Sequence, residues 1–176
     1  MVGQGITPCF HVADQPRVFE DGWYTDPVDA FVPAVESVFL WTPPALAVTD
    51  LIANGTLAQH PDLRIGIVEL SSIWVPMYLM MLDGGLDFVA TLNGAPLADL
   101  ELKPSEYFRR QVRVSAFSYE RPERLTARSA PLYMCCSDYP HSEGTATPIA
   151  DYEKVDATPG NDAPLFHDNA ALLLGA

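Results

Sequence analysis

The stretch SDYPHSEG, Ser137 to Gly144, places Asp138, His141 and Glu143 close together directly after the apolar run PLYMCC. Carboxylates and imidazoles are the side chains that hold divalent cations or move protons near neutral pH. Two more residues of these types stand in comparable places: His11 near the end of TPCFHV, and Glu69 near the end of RIGIVEL. A neutral imidazole beside carboxylates suits zinc or a similar divalent ion, and Glu69 is a candidate acid or base. Each residue also has a plainer reading. His11 could be a hydrogen-bonded edge histidine, Asp138 a turn-forming aspartate, and Glu69 the partner of an arginine such as Arg64 or Arg113. Ser137, Glu143 and Gly144 have turn character as well. His141 supports the loop or touches substrate, whereas His60 and His167 read as structural or solvent-facing. Trp74 and Trp23 could line a pocket or fill the core. Cys135 and Cys136 point to opposite faces of a strand, so the pair does not chelate one ion.

The elements that must position these residues follow from the hydrophobic pattern. Short apolar runs at 7–12, 64–70, 111–117 and 131–136 alternate with helical stretches, the mark of parallel strands joined by crossover helices. His11, Glu69 and Asp138 then fall at one edge of the sheet, the carboxyl ends of the strands, where ligands and catalytic groups sit in such folds. Thr42 is the expected cap of a helix with Pro43 in its first position, closing at Gly55. A second helix is expected over IWVPMYLMMLDGGLDFVATL, with Pro76 in its first turn, a break at Gly84 and Gly85, and burial on most sides. KPSEYFRR and a terminal segment opened by Asp162 with Pro164 are further helices. The connection from Ala13 to Pro27 has the length of a loop that covers a site.

Composition bounds the function. The chain has 176 residues, 48% of them hydrophobic, which suits one domain over 1–176. Ten basic residues against 23 acidic ones leave a net charge of −13, which repels phosphate backbones and anionic membrane surfaces. No nucleic-acid partner and no membrane partner are expected. The longest uncharged run, Leu70 to Leu82, is too short to span a bilayer, and no basic, then apolar leader opens the chain. Three cysteines form no disulfide framework, so a cytoplasmic location is expected.

The segments FHVAD, LAQHPDLRIGIVELSSIWVP, KPSEYFRRQVRVSAF, SDYPHSEGTATP and HDNAALLLGA resemble, in order and spacing, successive pieces of the amidohydrolase-related family, the metal-dependent barrel branch that includes aminocarboxymuconate-semialdehyde decarboxylase. The resemblance covers nearly the whole chain but only the C-terminal half of the family's barrel. It implies an α/β fold, a partial (β/α)8 TIM-type barrel of about strands five to eight with outer helices. It further implies that His11 and Asp138 descend from metal ligands, that the ion is a divalent metal such as zinc, and that Asp138 and Glu69 do the proton work beside His141 and Trp74. The implied activity is hydrolysis or non-oxidative decarboxylation of a small carboxylic substrate. The family's first-strand His-X-His or Glu-X-His pair does not occur in these residues, and Glu69 stands where many relatives have a histidine. The expectation is therefore an incomplete site with weak metal binding and no turnover by the chain alone. Homo-oligomers, or association through exposed barrel edges, are expected to follow. The alternative is a non-catalytic barrel fragment that needs a partner.

Overall fold

Parallel strands of a few residues each, linked by helices, are what short buried apolar runs separated by longer amphipathic ones should give. The structure is a computed structural model that describes residues 5–12, 17–27, 33–96, 98–155, 157 and 162–175. Its elements are β1 (Cys9–His11), α1 (Ala34–Val38), α2 (Thr42–Ala53), α3 (Thr56–Gln59), β2 (Ile65–Val68), α4 (Val75–Asn93), α5 (Pro104–Gln111), β3 (Val112–Ala116), α6 (Pro122–Ser129), β4 (Tyr133–Cys135), α7 (Pro148–Glu153) and α8 (Asn169–Leu174). The sheet runs β1-β2-β3-β4 with every pair parallel. His11 lies opposite Val68, and Ala116 opposite Cys135, so the carboxyl ends form one level edge. All four predicted strands exist, each shorter than its apolar run. The expected loop from Ala13 to Pro27 is described only from Arg17, where Asp21–Trp23 makes a single 3-10 turn; its first part lies outside the described residues.

One face of the sheet carries the main core. Ile65, Ile67, Val112 and Val114 are buried against Val48 and Ile52 of α2, Tyr78 and Leu79 of α4 and Phe108 of α5. Strand alternation turns Gly66 to the other face, where an added Cβ would lie 2.7 Å from Cys9 Sγ and 3.3 Å from Leu173. Only glycine lets β1 and the terminal helix approach there. Helix α8 crosses this second face near the strand starts: the Asn169 amide donates to the carbonyls of Pro131 and Tyr133 and accepts from Arg113 Nε, while Thr7 Oγ1 donates to Leu173 O. Asp162 opens the terminal segment as expected, accepting from Leu165 N at 3.2 Å.

Three helix expectations are corrected. Thr42 does not cap α2, and its Oγ1 has no partner, because prolines at 43 and 44 remove N–H groups that a cap would bind. Gly84 and Gly85 do not break α4, which continues to Asn93 and closes at Gly94 with φ 72°. Nor is α4 buried on most sides: Val75, Tyr78, Leu79 and Leu82 are buried, but Met77, Met80, Met81, Phe88 and Leu92 are exposed. The helix is in fact long and apolar enough to cross a membrane by length and composition, and 22% of its apolar window is buried. It lies in the outer helical layer and packs along one side only.

Candidate metal and proton-transfer site

The level carboxyl edge brings the candidate residues together from different strands. His11 is the last residue of β1, Glu69 follows β2 directly, and Asp138 stands three residues beyond β4. Glu69 and Asp138 both adopt left-handed backbone, φ 58° and 53°, a conformation that non-glycine residues take rarely and at some cost. Two hydrogen-bond systems hold Glu69 there. Its N–H donates to Ser115 Oγ of β3 at 3.0 Å, and the loop after it is gripped by Glu120, buried to 5% exposure, which accepts from Ser71 Oγ, Ser72 N, Ser72 Oγ and Phe117 N. Asp138 is held by the turn it opens. His141 N donates to its carbonyl, Thr145 N donates to Ser137 O, and a Cβ on Gly144 would lie 2.2 Å from Asp138 O.

The two carboxylates are largely enclosed, with side-chain exposures of 13% for Glu69 and 10% for Asp138. Among the described residues, Glu69 Oε2 and Asp138 Oδ2 have no hydrogen-bond partner. A buried carboxylate oxygen without a donor is costly, and a cation relieves that cost. His11 Nε2 lies 2.7 Å from Glu69 Oε2, with no aligned hydrogen bond between them, while its Nδ1 contacts Val12 O at 2.5 Å. Both contacts are satisfied together when the ring is doubly protonated, or when Nδ1 carries the proton and a cation stands beside Nε2. His141 Nδ1 lies 3.5 Å from both Glu69 Oε1 and Asp138 Oδ1. One ligand atom from each of Glu69, Asp138, His141 and Glu143 falls within 4.8 Å of the others. That donor set, carboxylates with one imidazole, fits a divalent ion of the harder kind. Hydrogen bonds from its own backbone and from Ser142 hold the Glu143 carboxyl below the usual range, so it is charged at neutral pH.

A cavity of about 210 Å3 opens beside this group, lined by His11, Glu69, Ser115, Met134, Cys136 and Asp138. Burial pushes the Cys136 thiol up to about 12, and Cys135 upward too, so these sulfurs stay protonated and are poor metal ligands. Tyr152 fixes the local backbone, its hydroxyl accepting from Cys136 N and donating to Ala116 O.

The sequence-derived candidates separate clearly. His11, Glu69, Asp138 and His141 come together at one edge. The ligand group contains His141 and Glu143, whereas His11 reaches it through Glu69. Glu143 carried a turn reading in the sequence; its signal was a carboxylate five residues after Asp138. Glu69 does not pair with an arginine: Arg64 is taken by Pro61 O and Leu63 O, and Arg113 by Asn169 and backbone carbonyls. Trp74 is a correction. It is 4% exposed, stacked on Trp41 with Tyr78 and Phe108 edge-on, and its Nε1 donates to Ser71 O, because it faces the helical layer instead of the cavity. Trp23 is 68% exposed and lines no site. His60 and His167 are remote, the latter beside Asp168.

No protein-family model and no curated protein sequence matches the chain. Solved structures do. An amidohydrolase of Mycobacterium avium subsp. paratuberculosis K-10 matches with TM-score 0.69 and 20% identity over 97% of this chain and 43% of its own. The 5-carboxyvanillate decarboxylase LigW of Sphingomonas paucimobilis matches with TM-score 0.69 and 24% identity over 97% of this chain and 50% of its own. A 5-carboxyvanillate decarboxylase of Novosphingobium aromaticivorans, in complex with manganese and 4-hydroxy-3-methoxy-5-nitrobenzoic acid, matches with TM-score 0.57 and 17% identity over 75% of this chain and 38% of its own. The chain thus spans half or less of the length of these enzymes, and over that span it has the fold of amidohydrolase-type proteins, four βα units of their barrel.

Proposed function

We propose that the chain carries one half of the active site of a metal-dependent hydrolase or carboxy-lyase for small carboxylic substrates. The observation that carries this reading is Asp138: a carboxylate nine-tenths enclosed, in left-handed backbone at the carboxyl edge, with Oδ2 unpartnered among the described residues and one carboxylate oxygen within 4.8 Å of ligand atoms of Glu69, His141 and Glu143. Asp138, Glu69, His141 and Glu143 would hold the ion, and His11 would orient Glu69 or join the ligands. A divalent ion in that position polarises a substrate oxygen or activates water. The likeness to a manganese-containing decarboxylase supports testing manganese beside zinc. Asp138 and Glu69, which both line the cavity, would accept and return a proton. With Nδ1 toward Glu69 and Asp138, His141 would hold the ion and, being half exposed, would present its other ring nitrogen to a substrate carboxylate. The cytoplasmic location expected from the cysteine usage belongs to the same proposal.

The test has two arms. Titration of the chain with Mn2+ and Zn2+ should show one weak site per chain, removed by Asp138→Asn, with no turnover of 5-carboxyvanillate by the chain alone. Fusion to the N-terminal half of the Sphingomonas paucimobilis decarboxylase should restore turnover that Asp138→Asn abolishes. Metal binding unchanged in Asp138→Asn would sink the proposal. The second reading, a non-catalytic fragment that needs a partner, is favoured by the separation of His11 from the four-residue ligand group; it gains the field if metal binds but no fusion turns over.

A further inference from the structure

The acidic group lies at the mouth of a cavity whose inner walls are of another kind. Strand register builds those walls. His11 lies opposite Val68 and Ser115 opposite Met134; because Ile67 lies opposite Val114, the next residues, Val68 and Ser115, share a level as well. Alternation turns this row to the face away from the helical core, and all four residues line the cavity of about 210 Å3. Phe117 continues the wall past β3. Glu120 holds its N–H, and its ring stacks on Tyr119 with centroids 5.3 Å and planes 11° apart. The lining also includes Ala170, which forms a floor. It stands on helix α8, which Asn169 and Leu173 fix across the row below, at Arg113 and Gly66.

These walls carry no charge. Val68, Phe117, Met134 and Ala170 present hydrocarbon and a thioether, Ser115 Oγ already accepts from Glu69 N, and burial keeps the Cys136 thiol neutral. Among the described residues no lysine or arginine lines the cavity. Arg113 precedes Ser115 by two residues and so shares its face, but its guanidinium is taken up at the strand starts by Asn169 Oδ1 and the carbonyls of Arg109 and Val112. A second charged group, or a ring of hydroxyls, would lose its water here without gaining a partner on this wall. An apolar body gains by leaving water. Volume sets the limit: an apolar cavity of about 150 Å3 takes benzene, so about 210 Å3 suits one six-membered ring with a substituent and is tight for two fused rings.

We propose that this cavity is the pocket for the body of the ligand, that the body is an uncharged apolar group no larger than one six-membered ring, and that Ala170 and Met134 set its size. The proposal rests on the acidic mouth as the place of the ion and of the ligand's carboxylate. It adds two specificity-determining residues, one of them from the terminal helix, and neither belongs to the four-residue ligand group.

Fluorobenzene, neutral and one ring in size, probes the pocket without the ion. Titrated into the metal-free 176-residue chain and followed by 19F NMR, it should bind saturably. Affinity should fall about tenfold or more in Ala170→Leu, whose larger side chain fills the floor, while circular dichroism shows that variant folded. Met134→Ala works in the other direction. The unaltered chain should bind 1-fluoronaphthalene about tenfold more weakly than fluorobenzene, and Met134→Ala should remove that difference. With Zn2+ present, cyclohexanecarboxylate should bind about tenfold or more tightly than quinate, a ring of the same size bearing hydroxyls. Fluorobenzene binding that does not saturate, or that a folded Ala170→Leu leaves unchanged, would overturn the proposal, as would equal binding of cyclohexanecarboxylate and quinate. If Ala170→Leu does not fold, an undiminished preference for one ring over two in Met134→Ala overturns it instead. Failure of Zn2+ to bind would overturn the metal reading alone, since fluorobenzene would still enter the pocket and Ala170→Leu would still exclude it.

Discussion

At Asp138 two unfavourable features coincide: a left-handed backbone and a buried carboxylate oxygen without a donor. Such combinations persist when surrounding structure over-determines them, and they cluster where ligands bind. Asp138→Asn keeps the shape, tolerates the left-handed backbone and removes the charge. We expect apparent Mn2+ affinity to fall by about 10-fold or more while the thermal midpoint holds or rises, read by calorimetric titration and circular dichroism. Gly144 tests the same site through the backbone. An alanine Cβ at 2.2 Å from Asp138 O forces the turn open, so Gly144→Ala should lose metal binding as well, and should destabilise the chain by about 1–3 kcal/mol in urea unfolding.

The elements are tied to one another by buried polar groups that no local pattern reveals. Glu120, in the short turn after β3, accepts from the loop after β2 and so carries Glu69 into place. Glu120→Ala leaves buried donors on Ser72 and Phe117 unpaired, and should cost about 3 kcal/mol by urea unfolding. It should also weaken metal binding without touching the ion's ligands; an unchanged affinity would show that Glu69 holds its position unaided. Asn169 plays the matching part beneath the sheet, joining α8 to the starts of β3 and β4.

For the whole molecule, burial raises several acids whose neutral forms the fold prefers. Tyr78, Tyr133 and Cys136 are each pushed up to about 12, and Tyr152 is raised as well, with desolvation the main cause in every case. The unfolded chain ionises these groups at about 9 to 10, so between that range and pH 12 it binds fewer protons than the folded chain, and stability falls as pH rises. Their contribution is fully present below pH 9. Urea midpoints should therefore be flat with respect to these groups from pH 7 to 9 and decline from pH 9 to 12. Cys136→Ala should reduce the slope near pH 9 to 10, where the unfolded thiol titrates first.

What the amino-acid sequence determined by itself was local and periodic. Four apolar runs specify four strands, of which β2, β3 and β4 are mostly buried and β1 is an exposed edge, prolines and glycines mark where α2 and α4 begin and end, and parallel order then puts His11, Glu69 and Asp138 at one edge, because parallel strands share the side on which they finish. The tertiary structure decided everything that depends on which surfaces meet. It turned Trp74 into the core, since the loop after β2 folds toward the helical layer. It drew Glu143 in beside Asp138, because Gly144 lets the turn close on itself, and it assigned Glu120 and Asn169, whose partners lie tens of residues away in the chain. It also left half of α4 bare. Hydrophobic periodicity reports how much apolar surface a helix offers, and only packing in three dimensions says how much of that surface the chain's own core can cover.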